Sequence, residues 1–351
     1  MTALDAESLI DLRSDVMTPP TAEMWEAMRR AQCGGVRFGE DECVRELEAL
    51  GAELLGKEAA LFVPTCSMAN LLALMTLGER GTQVILEAAS HIAWSEEYGF
   101  AHICGLFPRL LPGTDGVLQP AAIEEALLIP RFSHLPRTSL VCLENSHNNA
   151  GGIAVTPAQT AAVAMVARQH GVAVHLDGAR LFNAAVALGV LPRQLAAAVD
   201  SVAVSLNKGL CAPFGALLCG SSQVINEARI NARRIGAASI HKAGIFAAAG
   251  TIALTSMIDR LADDNRRAAA LARRLKALPD LYIDLETVQT NIVKATVMRE
   301  GLTSREFVAR LAQGSVLALE RSAQDVRFVT HRLIGDAAIE RAAQAVARAL
   351  K

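Results

Sequence analysis

Short apolar runs alternate with alanine-rich stretches of helical period along most of this chain. That is the pattern of a mostly parallel sheet covered by helices on both faces. Residues 41–56 repeat with a helical period and end on Gly56. ALFVPT (60–65) predicts a strand and CSMANLLALMTLG a helix after it, while QVILEA (83–88) and LVCLEN (140–145) predict two further strands. Thr156-Pro157-Ala158-Gln159 forms a capping box with proline in the first turn, which opens a helix that Gly171 closes. VAVHLDGAR (172–180), SVAVSLNKG (201–209) and GALLCG (215–220) add three strands with their exit loops.

From about residue 222 the texture changes to long helices, 222–235 and 243–276, the second with Gly244 and Gly250 where a bend is expected. Two short strands (281–286, 291–297), a helix from Thr303, a strand in VRFVTH (326–331) and a helix over 335–350 complete the chain. The expected organisation is a large α/β domain over 1–250, with an N-terminal arm over 1–20, and a smaller C-terminal α+β domain over 251–351.

Composition narrows the function. With 34 Lys and Arg against 36 Asp and Glu, the net charge is −2, and no basic field steers the chain to nucleic acid or an anionic membrane. Seven cysteines lie scattered with no C-x-x-C, so a disulfide framework or structural zinc site is not expected and a reducing, cytoplasmic setting is. The uncharged stretches 59–78 and 145–167 are broken by polar and helix-breaking residues and do not predict a membrane span. The start MTALDAESLIDLRSD has acids where a signal peptide needs a basic start and an apolar run.

In open α/β sheets ligands sit at the carboxyl ends of the strands. The polar residues there are Thr65-Cys66-Ser67, His91, Glu144-Asn145, Asp177 with Arg180, and Asn207-Lys208. A lone loop lysine is most often a solvated one, but Lys208 follows an apolar strand and stands one βαβ unit after Asp177. A lysine amine and an aspartate on neighbouring strands suit a pyridoxal phosphate enzyme, in which the lysine carries the cofactor and the acid holds its pyridine nitrogen protonated. The turn from Thr65 to Asn70 offers backbone N–H groups at a helix start as a phosphate seat. His91 is placed to stack on a ring or exchange protons, and Arg180 and Arg327 to clamp a carboxylate. Gly51-x4-Gly56-Lys57 has phosphate-loop spacing, but it follows a helix and has Glu58 where Ser or Thr belongs, so it is expected to be a helix end.

IDLRSDVMTPP, GKEAALFVPTCSMAN, SHIAW, LENSHNNAGG, HLDGARLFNAA, SLNKGLCAPFGALLCG and VRFVTH, in this order, resemble the low-specificity L-threonine aldolases. These belong to the β-eliminating lyase group of fold-type I pyridoxal phosphate enzymes. The resemblance implies that fold and the cleavage of L-threonine, L-allo-threonine or related β-hydroxy-α-amino acids to glycine and an aldehyde. It also implies a homodimer or homotetramer with sites near subunit interfaces. By it, Lys208 binds the cofactor, Asp177 its ring nitrogen, His91 its face, and Cys66 and Ser67 its phosphate. Ser14, Arg180 and Arg327 would bind the substrate carboxylate, and His134 with His91 would approach the β-hydroxyl. Glu96 and Asn145 also match.

Cys66 and Cys211 stand at positions where the resemblance implies glycine, Asn207 where it implies serine, and Phe38 where it implies tyrosine. Residues 237–242 replace a glycine run. Another β-eliminating lyase or an amino-acid racemase on the same scaffold, and a non-catalytic binding protein, are the alternatives at this stage.

Overall fold

A computed structural model describes residues 9–128, 134–238 and 240–351. Ser239, in the divergent 237–242 loop, lies outside the described residues, as do residues 1–8 of the arm. The first element is a two-residue strand, β1 (Ile10–Asp11). Seven strands then form the main sheet: β2 (Ala59–Val63), β3 (Gln83–Glu87), β4 (Phe107–Leu111), β5 (Thr138–Glu144), β6 (Ala173–Asp177), β7 (Ser201–Ser205) and β8 (Ala216–Gly220). Their order is β2-β8-β7-β6-β5-β3-β4, all pointing one way except β8, which runs antiparallel to both neighbours.

The strands are apolar because both faces are covered. Val174, Leu176, Val202, Val204 and Leu217 pack into one core with helices Glu42–Leu55, Pro157–Gln169 and Gly244–Ser256. Ala203, Ala216 and Leu218, alternate residues of the same strands, face helices Cys66–Leu77 and Ser222–Arg234. The capping box forms as expected, with the Thr156 N–H donating to Gln159 Oε1 at 2.8 Å and Pro157 in the first turn. Gly56 closes its helix in the left-handed region (φ 62°), so the phosphate-loop spacing is a helix end.

The helix expected over 243–276 is two helices, Gly244–Ser256 and Leu261–Lys276, bent by 68°. The bend is not at the glycines. A Cβ on Gly250 would stand 2.8 Å from Leu47 Cδ2, so this glycine serves close packing against Glu42–Leu55. The chain turns where its composition changes. The apolar first helix packs in the main core, and the charged second helix, with Asp263 and Asp264 in its first turn, lays Ala268, Leu271 and Leu275 on another.

That second core is built on β9 (Leu281–Tyr282), β10 (Ile292–Val297), β12 (Leu319–Glu320) and β13 (Asp325–Val329), an antiparallel sheet in the order β12-β13-β10-β9. Ile10 and Leu12 belong to it too, since β1 pairs in parallel with β11 (Val316–Leu317). The N-terminal strand is thereby fixed to the C-terminal core, and the next residues are delivered to the carboxyl edge of the main sheet. Among the described residues no single helix is long and apolar enough to cross a membrane.

Candidate active site

Asp177 is the last residue of β6 and is 1% exposed. Its carboxylate accepts hydrogen bonds from the Ala179 N–H (3.0 Å) and Asn70 Nδ2 (2.9 Å), and Cys66 Sγ lies 4.0 Å away. His91, one turn past β3, places Nδ1 4.0 Å from Asp177 Oδ2 and 3.2 Å from Glu96 Oε1. Burial opposes a charge on His91, but Glu96, Asp177 and Glu144 outweigh it and its pKa is raised. Burial likewise raises the Glu96 carboxyl, against the hydrogen bond to His91, which lowers it. Glu144, at the end of β5, accepts the His91 N–H at 2.7 Å with one oxygen and the Asn148 N–H at 2.8 Å with the other. It thus fixes two loops at the point where the strand order reverses.

Lys208 lies three residues past β7, half-buried. Its carbonyl accepts from the Thr18 hydroxyl at 3.0 Å, while its ammonium has no hydrogen-bond or ion-pair partner among the described residues. Its charge acts on both Asp15 and Cys66. At the start of helix Cys66–Leu77, Thr65 takes the Met68 N–H with its hydroxyl and the Ala69 N–H with its carbonyl. The N–H groups of Cys66 and Ser67 are left without acceptors among the described residues, beside an exposed Ser67 hydroxyl.

The two arginines differ. Arg180 donates from Nε (2.8 Å) and Nη2 (2.7 Å) to the carboxylate of Asp15, which is fully buried and also accepts from Asn291. Burial would raise the Asp15 carboxyl, but Arg180, Lys208 and Asn291 outweigh it and hold it far below the usual range. Among the described residues Arg327 has no carboxylate partner. Its Nη1 donates to Asn148 Oδ1 at 2.6 Å, an oxygen that also accepts from Arg180 Nη1 at 3.3 Å, its Nη2 donates to the Arg13 carbonyl at 3.2 Å, and its buried Nε has no partner among the described residues. Burial, with Arg180 and Arg321 nearby, pulls the Arg327 pKa down to about 9. Two guanidinium groups against one carboxylate leave a net positive pocket.

Two cavities flank the His91 helix. One of about 460 Å³ is walled by Trp94, Asn148, Lys294, Arg321 and Arg327, and the other, of about 300 Å³, by Thr65, Ser67, Ile92, Ser95 and Glu96.

The fold therefore brings Lys208, Asp177, His91, Cys66, Ser67, Arg180, Arg327 and half-buried Ser14 to one edge of the sheet. It does not bring His134 there. That residue is exposed, four positions before β5 begins, whereas Glu144 ends the strand about 20 Å further on. Asn145 is also not free to bind a ligand, because its amide donates to the Val155 carbonyl (2.7 Å) and accepts the Val155 N–H (3.0 Å). The Arg180 fork faces Asp15 rather than open space. Sequence reasoning passed over Asp15, Asn70 and Asn148, whose signals were their places in the RSD, CSMAN and ENSHNN motifs. At the glycine-like position, Cys211 has φ 65°, so the backbone there is left-handed and carries a buried side chain.

Replacing Asp15 by asparagine would leave the Arg180 charge buried and unpaired. Urea unfolding of the apoprotein should show a loss of about 3–5 kcal/mol. Because the Asp15 pKa is depressed, its stabilisation is complete above the ordinary carboxylate value and disappears as the pH falls below it.

A lysine amine, a buried acid, an imidazole and a helix start with free N–H groups thus converge on one edge of the sheet. The chain belongs to the β-eliminating lyase family, which it matches over residues 11–298. Among its relatives, low-specificity L-threonine aldolase 1 of Arabidopsis thaliana is 38% identical over 330 residues, 93% of this chain and 92% of that one. The low specificity L-threonine aldolase of Escherichia coli K12 is 35% identical over 92% of this chain and 94% of its own. The solved threonine aldolase of Leishmania major has the same fold, with a TM-score of 0.83 and 22% identity over 97% of this chain and all of that one.

Proposed function

We propose that this chain is a pyridoxal phosphate-dependent lyase that cleaves L-threonine, L-allo-threonine or a related β-hydroxy-α-amino acid to glycine and an aldehyde. The observation that carries the reading is the pairing, at one sheet edge, of an unpartnered Lys208 amine with buried Asp177. The cofactor fits the residues present: Lys208 for its aldehyde, Asp177 for its ring nitrogen, His91 for its face, and the N–H groups of Cys66 and Ser67 for its phosphate. When bound, pyridoxal phosphate supplies a carbonyl that condenses with amines and a protonated ring that accepts electrons from a bond broken at Cα.

The chain's own residues do the rest. Arg327, the guanidinium without a counter-ion, takes the substrate carboxylate, with the Ser14 hydroxyl beside it. Arg180, tied to Asp15, adds positive charge and holds Asn148 in common with Arg327. His91 is the group poised to take the β-hydroxyl proton, and Glu96 balances the charge it gains. Lys208, whose amine would hold the cofactor, is the nearby group that can return a proton to Cα. His134 would reach a substrate only from a second copy of the chain.

A homo-oligomer, dimer or tetramer, is supported by the exposed apolar side chains Val16, Met17, Trp94 and Tyr98 next to the site. The seven unpaired cysteines favour a cytoplasmic setting. We divide the chain for this purpose into a cofactor-binding part over 1–250 and a smaller part over 251–351 that supplies Arg327.

The test is to supply L-threonine to the purified protein with pyridoxal phosphate and assay glycine and acetaldehyde together. Both should appear in equal amounts, and a visible cofactor band should respond to glycine. A band without aldehyde release would move the chain to other amino-acid chemistry. Removing one hydrogen bond to the phosphate, as in Ser67→Ala, should weaken cofactor binding about tenfold in a fluorescence titration, the worth of one charge-assisted bond.

A further inference from the structure

Three polar side chains lie buried behind Asp177 where apolar ones would fill the space. His175 and Asp177, two residues apart on β6, share the strand face toward helix Cys66–Leu77, while Val174 and Leu176 face the main core. His175 Nε2 is 3.0 Å from Asn70 Oδ1, and His175 Nδ1 is 2.8 Å from Ser201 Oγ. Asn70 Nδ2 is 2.9 Å from both Asp177 Oδ2 and Glu96 Oε1. His175 and Ser201 are wholly buried and Asn70 is 1% exposed.

Counting donors leaves one arrangement. Two carboxylate oxygens face one end of the Asn70 amide, so that end is the NH2 group, with one hydrogen for each. The carbonyl end then needs a donor, which is the N–H on His175 Nε2, and His175 Nδ1 accepts the Ser201 hydroxyl proton. Burial holds the His175 pKa down to about 4, so the ring stays neutral. Turning the amide over would set its oxygen against two carboxylates and its NH2 against an N–H.

We propose that Ser201 and His175 are positioning residues that lock the Asn70 amide, so that it donates at once to Asp177 and to Glu96 behind His91. This rests on the reading of Asp177 as the partner of the pyridine nitrogen. The amide links Asp177, which would hold the ring nitrogen, to Glu96, which sets the charge on His91. The other titratable groups that interact with Asp177 are His91, Glu96, Cys66, Cys142, His147 and Arg180. Among the described residues His175 is the donor at the carbonyl end of the amide, while the two carboxylates hold its NH2 end.

The experiment compares wild-type holoenzyme with His175→Leu, which removes the donor, and His175→Gln, which restores one. In His175→Leu the pH at which the visible cofactor band changes should move by about one unit, and kcat should fall about tenfold with little change in KM. His175→Gln should recover most of both, a rescue that a purely space-filling role would not produce. Independently, 15N NMR of histidine-labelled protein should show His175 neutral and protonated on Nε2 from pH 5.5 to 9. A folded His175→Leu enzyme with the wild-type band profile, or a His175 that is charged or protonated on Nδ1, overturns the proposal. If His175→Leu does not fold, His175→Gln and the NMR tautomer decide it. A wild-type protein with no cofactor band would instead sink the reading of Asp177, and the NMR result would still judge the lock.

Discussion

Replacing Lys208 by alanine should abolish the visible cofactor band that changes with glycine, and should lower threonine cleavage by about 10²- to 10⁴-fold. The size follows from the two duties proposed for the lysine, to hold the cofactor and to move a proton at Cα. The backbone at 208 is held by other atoms. Its carbonyl accepts the Thr18 hydroxyl and the Cys211 N–H (2.9 Å), and neither contact involves the side chain. The variant should therefore fold as the wild type does, with unfolding stability changed by no more than about 0.5 kcal/mol. Lys208→Arg should be equally inactive, because a guanidinium keeps the charge but does not give up its proton near neutrality. Stopped-flow spectra and glycine release from the two variants check this. Full turnover by either would end the assignment of Lys208 and the mechanism with it.

Most of the candidate residues were legible because they end or closely follow an apolar strand buried on both faces, and such strands are the plainest signal in the chain. Asp177 ends β6, Glu144 ends β5, and Lys208 stands three residues past β7, so listing the polar strand exits found most of the site. What escaped notice has a physical reason in each case. The edge strand β4 is mostly exposed and contains Pro108 and Arg109, so it lacks an apolar run. Asp15 and Arg180 are 165 residues apart, and nothing local in either segment announces the pair. Asn70 sits within a helix start whose hydroxyl and amide groups suggested only a phosphate seat, yet its side chain turns inward to the aspartate. The resemblance implied His134 beside the β-hydroxyl, but it stands ten residues before Glu144, and the seven-residue strand between puts the two at opposite edges of the sheet. Motif spacing gives sequence distance, and only strand direction tells which edge a residue reaches.

Arg327→Ala should separate activity from stability, with the two moving in opposite directions. Arg327 is 8% exposed, and its guanidinium faces Arg180 and Arg321 with a buried Nε that has no partner and no carboxylate of its own among the described residues. In the free protein this cation is a burden. Its pKa is pulled below the usual value to about 9, so the cost is fully present below that pH and is relieved as the pH rises toward the unfolded value. Removing it should leave the apoprotein as stable as the wild type or more so, with the advantage shrinking above pH 9. In the proposed reading the substrate carboxylate is the counter-ion that turns the burden into binding energy. Losing that buried charge pair costs about 2–5 kcal/mol, or roughly 30- to 5,000-fold in kcat/KM. Arg327→Lys should recover only part, since an ammonium is a point charge without the paired donors that match a carboxylate. Urea unfolding of the apoprotein and steady-state kinetics on the same preparations read both effects. A variant that lost stability along with activity would place Arg327 in the scaffold between the two cores and leave the carboxylate to another group.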